Sequence, residues 1–191
     1  MNHFKILQFP TRASRIAAAI LFMAAVVMSV LGGSVSAHAA VADVECTPTT
    51  STLSVSYNPG LHLETQSHTI TTQGNYQCLS SSDSTLSSGG FGPNSATGVS
   101  ASCLQLLPSG TGSFTITWNN GRTSTITASV TNTVVANTYV STGIGTVTAG
   151  EFAGDAVLAV NIFIQPNLLA CLSTAGVTNM TGTANLLITS A

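Results

Sequence analysis

Charge is what this sequence lacks. Of its 191 residues only four are Lys or Arg and six are Asp or Glu, 5% in all. An average globular chain carries about a quarter. Three of the four basic residues, Lys5, Arg12 and Arg15, stand near the start, and from residue 40 onward only Arg122 remains, with no lysine. All six acids (Asp43, Glu45, Glu64, Asp83, Glu151 and Asp155) lie in that later part. A nucleic-acid binder needs several cations against phosphates, and one arginine cannot supply them. A polybasic membrane-surface module fails for the same reason. Charge-driven disorder is excluded from the other side, because 44% of the chain is hydrophobic.

Catalytic signatures are missing too. Beyond residue 40 there is no Gly-x-Ser-x-Gly, no His-Glu-x-x-His, no P-loop and no Gly-x-Gly-x-x-Gly. No catalytic residue, metal or cofactor is therefore expected. The nearest approach to chemistry is Leu-His-Leu-Glu-Thr, where His62 and Glu64 share one parity with His68. Such residues can bind a metal or move a proton. They lack a further ligand, so His62 and Glu64 are carried forward only as candidate binding residues on an exposed strand face. Aromatics are also sparse: Trp118 is the chain's only tryptophan, and its place on an apolar strand face argues against an exposed sugar platform.

The first forty residues read as an address. Three positive charges precede an uninterrupted apolar or small run over 16–31, followed by Gly32-Gly33 and Ser-Val-Ser-Ala-His-Ala-Ala. This is the pattern of a secretory signal peptide, not of a membrane span, which needs about 20 apolar residues. Residues 1–39 are expected to be removed after Ala39, with Ala42 the alternative, by a Sec-type route. Residues 40–191 then form one released domain, with no membrane attachment in the mature form. Cys46, Cys78, Cys103 and Cys171 all survive into it. An exported chain meets an oxidising compartment, so two disulfides are expected. The gaps are too wide for the close Cys pairs of a zinc site. The preferred pairing is Cys46–Cys78 with Cys103–Cys171, because the first pair flanks a long hairpin turning at Asn58-Pro59-Gly60. In the chain-entropy view each loop is worth on the order of 4 kcal/mol.

What the chain has in quantity is serine and threonine, 47 of residues 40–191, while charged helix formers are almost absent. Apolar residues alternate at period 2: Leu53, Val55, Tyr57; Phe114, Ile116, Trp118; Ala184, Leu186, Ile188. Residues 156–164 are apolar at both parities, which suggests a central strand. About seven strands in one domain indicate an all-β fold, an antiparallel β-sandwich of Ig-like or related type, with a β-barrel as the alternative. The run over 80–95, Ser- and Gly-rich, reads as a disordered loop.

One hairpin can be read residue by residue. A two-residue loop at Asn120-Gly121 would set Ile126 on the face opposite Phe114. A three-residue loop, Asn119-Asn120-Gly121, pairs Phe114 with Ile126 and Trp118 with Arg122. It also puts Phe114, Ile116, Trp118, Ile126, Ala128 and Val130 on one face. The three-residue loop is expected, with Gly121 left-handed. Arg122 then either stacks on Trp118 or caps the turn in solvent.

Tyr57-Asn-Pro-Gly-Leu61, Ser102-Cys-Leu-Gln-Leu-Leu107, Ile116-Thr-Trp-Asn-Asn-Gly-Arg-Thr-Ser124, residues 145–155 and Leu168-Leu-Ala-Cys-Leu172 resemble small secreted actinobacterial proteins. Those proteins carry a signal peptide, four cysteines and a W-[ND]-[ND]-G-x-[ST]-S hairpin. The resemblance implies an extracytoplasmic Ig-like sandwich and brings no activity, ligand or site residue with it. The sequence thus points to a secreted, non-enzymatic structural or interaction protein of the cell envelope or extracellular space. Without lysine to blunt them, its sheet edges suggest self-association or an envelope partner. A small-ligand or glycan-binding module is the second reading, and a hydrolase using His62 or His68 the third.

Overall fold

The computed structural model describes residues 42–191. The signal peptide expected over residues 1–39 lies outside them. The chain forms β1 (Ala42–Cys46), β2 (Thr52–Leu61), β3 (Gln66–Ser80), β4 (Ser88–Ala101), β5 (Gly110–Trp118), β6 (Thr123–Val135), β7 (Thr138–Gly150), β8 (Ala156–Ile164), a single helical turn α1 (Leu168–Cys171) and β9 (Val177–Thr189). All pairings between these strands are antiparallel.

The sheet closes on itself. β1 and β2 make one interrupted stave, because both lie between β3 and β9. Cys46 faces Cys78 and Leu186, and Thr52 faces Asn75 and Thr183. Residues 47–51 step out of line between them, and Ser51 repairs the break: its Oγ accepts from Gln77 N at 2.9 Å and its carbonyl accepts from Ala184 N at 3.0 Å. From there each strand pairs with the next, and β3 also pairs with β4. The result is an eight-stave up-and-down barrel. The expected sandwich is thereby corrected to its alternative. Alternation shows that each strand has an inner face; it does not show whether the sheet splits into two layers or curls into one.

Inward residues fill most of the barrel. Val55, Tyr76, Ile116, Trp118, Ile126, Phe163, Leu186 and Ile188 are all buried. In β8 the inner row Val157, Ala159, Phe163 is buried, yet Leu158, Ile162 and Ile164 on the outer face are 37, 41 and 74% exposed. A strand apolar on both faces is thus not covered on both, since a barrel wall has no second layer. Both disulfides form as preferred, Cys46–Cys78 and Cys103–Cys171. The turn expected at Asn58-Pro59-Gly60 does not exist; these residues continue β2, and the chain reverses at 62–65.

The segment over 80–95 is another correction. Only residues 81–87 lie between strands, while β4 pairs with β3 at ten positions from Gln66↔Ala101 to Gln77↔Ser88. Small side chains permit this: Gly74 lies beneath the Phe91 ring, where a Cβ would collide with it. The short connection is itself held, with Asp83 Oδ1 accepting from Thr85 N at 2.9 Å and Leu86 buried.

The Trp118 hairpin has the expected register. Phe114 faces Ile126, Trp118 N donates to Arg122 O at 2.9 Å, and Gly121 N donates back to Trp118 O at 2.9 Å. Gly121 has φ +81°. A side chain there meets no neighbour, so Gly121→Ala isolates the backbone cost. We expect a loss of about 1 kcal/mol in the unfolding free energy measured by urea denaturation, with the far-ultraviolet circular dichroism unchanged.

Candidate functional site

The residues singled out from sequence do not converge. His68 points into the barrel and is 1% exposed. Its Nδ1 lies 2.8 Å from Pro59 O and its Nε2 3.2 Å from Ala101 O. Both ring nitrogens therefore face carbonyls, and neither is open to a metal or a substrate. His62 sits half-buried just after β2, with Nδ1 donating to Cys171 O at 3.2 Å. That contact ties the 62–65 connection to α1 beside the Cys103–Cys171 disulfide. Glu64 is exposed in the same connection. Among the described residues no group of three His, Cys, Asp or Glu is placed to hold a metal.

Trp118 and Arg122 have structural duties. Trp118 is buried; its Nε1–H donates to Ser124 Oγ at 2.8 Å, and Ser124 Oγ donates to Glu151 O at 2.6 Å. The ring meets Phe152 edge-on at 6.1 Å. Arg122 does not stack on Trp118. Its Nη1 pairs with Glu151 Oε1 at 2.9 Å while its side chain stays 67% exposed, a geometry worth less than about 1 kcal/mol. The two asparagines of the loop do more than the sequence suggested. Asn119 Oδ1 accepts from Ser87 N and Ser88 N, and its Nδ2 donates to Thr85 O. Asn120 Nδ2 donates to Asp83 Oδ2 at 3.2 Å and Glu151 Oε2 at 3.4 Å. Together they clamp the 81–87, 119–122 and 151–155 connections to one another.

The site that the sequence did not announce lies between β4 and β5. Every other pair of consecutive strands from β2 to β9 shares at least seven paired positions, but these two share only Gly89↔Trp118 and Gly90↔Thr117. Beyond Gly90 the strands part and the wall opens into a cleft of about 520 Å³, within the range of small-molecule sites. Ile70, Val99, Leu107 and Val130 give it apolar sides, and Thr72, Asn94 and Ser113 give it neutral polar ones. A deeper recess of about 240 Å³ continues past Phe91 and Phe114. An inner chamber of about 70 Å³ follows, lined in part by Tyr76, Ser141 and Asn161. Val130 borders all three spaces. Among the described residues, no ionisable side chain other than Tyr76 lines any of the three, and burial holds the Tyr76 hydroxyl well above the usual phenol range.

At the chamber, Asn161 Oδ1 is buried with no donor within reach among the described residues. An unpaired buried acceptor costs roughly 1–3 kcal/mol. Asn161→Leu removes it at similar volume, and we expect the protein to gain about 1 kcal/mol in chemical denaturation. A loss would show that the amide is already satisfied. At the opposite end of the barrel, Asp155 has its carboxyl raised above the usual 3.8, first by desolvation and then by Asp43. A raised folded-state value favours the fold below the unfolded value, and that contribution is lost as pH rises through the folded one. Asp155→Asn should therefore raise the melting temperature at about pH 7 and leave it unchanged near pH 2. An equal shift at both would assign the effect to packing.

Compared with protein-family models, with curated proteins and with solved structures, the chain gives no match in any of the three.

Proposed function

We propose that this is a secreted, non-enzymatic binding protein, exported by a signal peptide over residues 1–39, that takes a small uncharged apolar molecule into the cleft between β4 and β5. The cleft carries the proposal. It is an opening in an otherwise continuous wall, it leads inward to the core, and it is lined by aliphatic, aromatic and neutral polar side chains. A lining with no carboxylate, imidazole, thiol or amine offers no nucleophile or general base of ordinary strength, which favours binding over turnover. The absence of cationic and anionic partners selects against charged ligands, whose desolvation would go uncompensated. Asn161 Oδ1 adds one specific demand, a hydrogen-bond donor at the buried end of the ligand. Two disulfides suit an oxidising extracytoplasmic setting. The resemblance to small secreted actinobacterial proteins fits this reading but names no ligand.

The cleft reading is preferred to a purely structural role because ring closure covers the strand edges that suggested self-association, save those that border the cleft itself. The test uses a neutral apolar fluorophore carrying one N–H, N-phenyl-1-naphthylamine. Its emission should rise and shift to the blue with the wild-type protein. Gly112 borders the cleft, and a Cβ there would have no atom of the described protein within 4 Å. Gly112→Leu should therefore fill the cleft, leave the melting temperature within about 2 °C and abolish the fluorescence change. Equal fluorescence with both proteins, or none with either, would overturn the proposal.

A further inference from the structure

In an up-and-down barrel alternate connections fall at opposite ends, so the two ends can be compared. One end gathers the connections 62–65, 102–109, 136–137 and 165–176. The other gathers 81–87, 119–122 and 151–155, with the start of β1 and the finish of β9. The charges are divided unequally between them. Among the described residues, Asp43, Asp83, Arg122, Glu151 and Asp155 all stand at the second end, with Glu45 a short way along β1, and Glu64 alone stands at the first.

Exposed apolar side chains are divided the other way. Among the described residues, twelve large hydrophobics are exposed, and eight of these belong to the first end: Leu63, Leu104, Val134, Val135, Ile164, Leu168, Leu169 and Leu172. Single exposed aliphatics are ordinary on a protein surface; a group set in or beside all four connections at one end is not. Covalent and hydrogen-bonded ties hold the group together. The Cys103–Cys171 disulfide joins the Leu104 connection to α1, His62 Nδ1 holds the Leu63 connection to Cys171 O, and Gln165 N donates to Asn137 O at 3.0 Å. These ties hold leucines such as Leu169, 74% exposed, where their own burial does not.

We propose that this end of the barrel docks on a lipid surface of neutral headgroup, with its aliphatic side chains entering the interfacial layer. Three observations favour lipid as the occupant. Among the described residues this end carries no Lys or Arg, so attraction to anionic lipid or an acidic protein is absent and apolar transfer must supply the affinity. The charged groups are withdrawn to the far end, where they stay in water when the near end is immersed. The cleft widens toward this same end, since β4 and β5 are joined only near Gly89 and Gly90, and Leu107, Pro108 and Gly110 border its mouth. A lipid layer would face that mouth with a reservoir of neutral apolar molecules, whereas a second copy would seal it. This last argument rests on the ligand-binding reading; the first two do not.

Co-sedimentation with phosphatidylcholine vesicles tests the proposal. Wild-type protein should bind, and binding should change little between about 50 and 500 mM salt, since no ion pair is screened. The double variant Val135→Asp/Leu169→Asp alters two exposed positions and should bind at least tenfold more weakly. Leu79→Asp, equally exposed at the charged end, should bind as wild type. Absence of vesicle binding, equal loss in Leu79→Asp, or a concentration-dependent dimer abolished by the double variant in place of vesicle binding would overturn it. Gly112→Leu should still bind vesicles, and the double variant should still take up N-phenyl-1-naphthylamine, so failure of docking and failure of the cleft can be told apart.

Discussion

Ring closure is the constraint on which the rest of this structure depends. A sheet with free edges must protect them, and the usual protection is lysine, inward charge or proline. From residue 40 onward this chain has no lysine. Joining β9 to the β1–β2 stave and β3 to β4 removes the edges instead, except along the cleft between β4 and β5. The one poorly joined interval, β4 against β5, is held apart where Phe91 and Phe114 meet with ring centroids 4.9 Å apart. Beyond Phe91, β4 runs through Gly92-Pro93, and its register against β3 shifts between Thr72 and Gly74 and between His68 and Ile70. Pro93 has no amide hydrogen to give to β5. The free edge along the cleft is thus blunted by a proline and by bulges, which discourages an added strand and leaves the opening to smaller molecules.

Scarcity of charge also sets how the barrel ends are held. Arg122–Glu151 is the only ion pair among the described residues. Amides and hydroxyls carry the organisation that salt bridges often carry: Asn119 and Asn120 at one end, and at the other Asn132 Nδ2, which donates to Leu107 O and Pro108 O at 3.2 and 3.0 Å. Tyr139 Oη donates to Leu107 O and accepts from Leu107 N. The cleft's lip at Leu107 is therefore fixed from two sides by neutral side chains. Neutral hydrogen bonds are weakly affected by salt, so this framework keeps its form across ionic strengths that would loosen a charged one.

The hairpin around Trp118 was legible in the sequence because only one loop length puts Phe114 and Ile126 on the same face. The disulfide pairing was legible for a partly mistaken reason: Cys46 and Cys78 are opposite each other, but the reversal that brings them together lies at 62–65, beyond Asn58-Pro59-Gly60. The choice of barrel over sandwich was not legible, since alternation records inner and outer faces and not which strand meets which. Nor was β4. Val99 and Ala101 alternate as a strand does, but residues 88–98 are mostly small and mostly exposed, and the bonds that order them come from β3, so most of the strand leaves no mark in its own side chains. The cleft was missed for the same reason, being bordered by that segment and by the glycines of β5. His62, Glu64 and His68 share a parity in the sequence, yet a chain reversal between Leu61 and Gln66 sends His68 inside and leaves Glu64 in water.

The low charge that first excluded partners now describes the surfaces that remain for contact. A neutral apolar cleft can discriminate by shape and by a single buried acceptor, because nothing in it pulls on charge. Discrimination of that kind is strong against ligands that leave a polar group unpaired and weak among those that differ by a methylene. An aliphatic barrel end, in turn, gains from leaving water and gains nothing from a charged neighbour. Both surfaces gain by excluding water, and they open toward the same side of the molecule. A chain that kept lysines at its strand edges could have stayed an open sheet; without them it closes, and closure is what sets the cleft and the apolar end side by side.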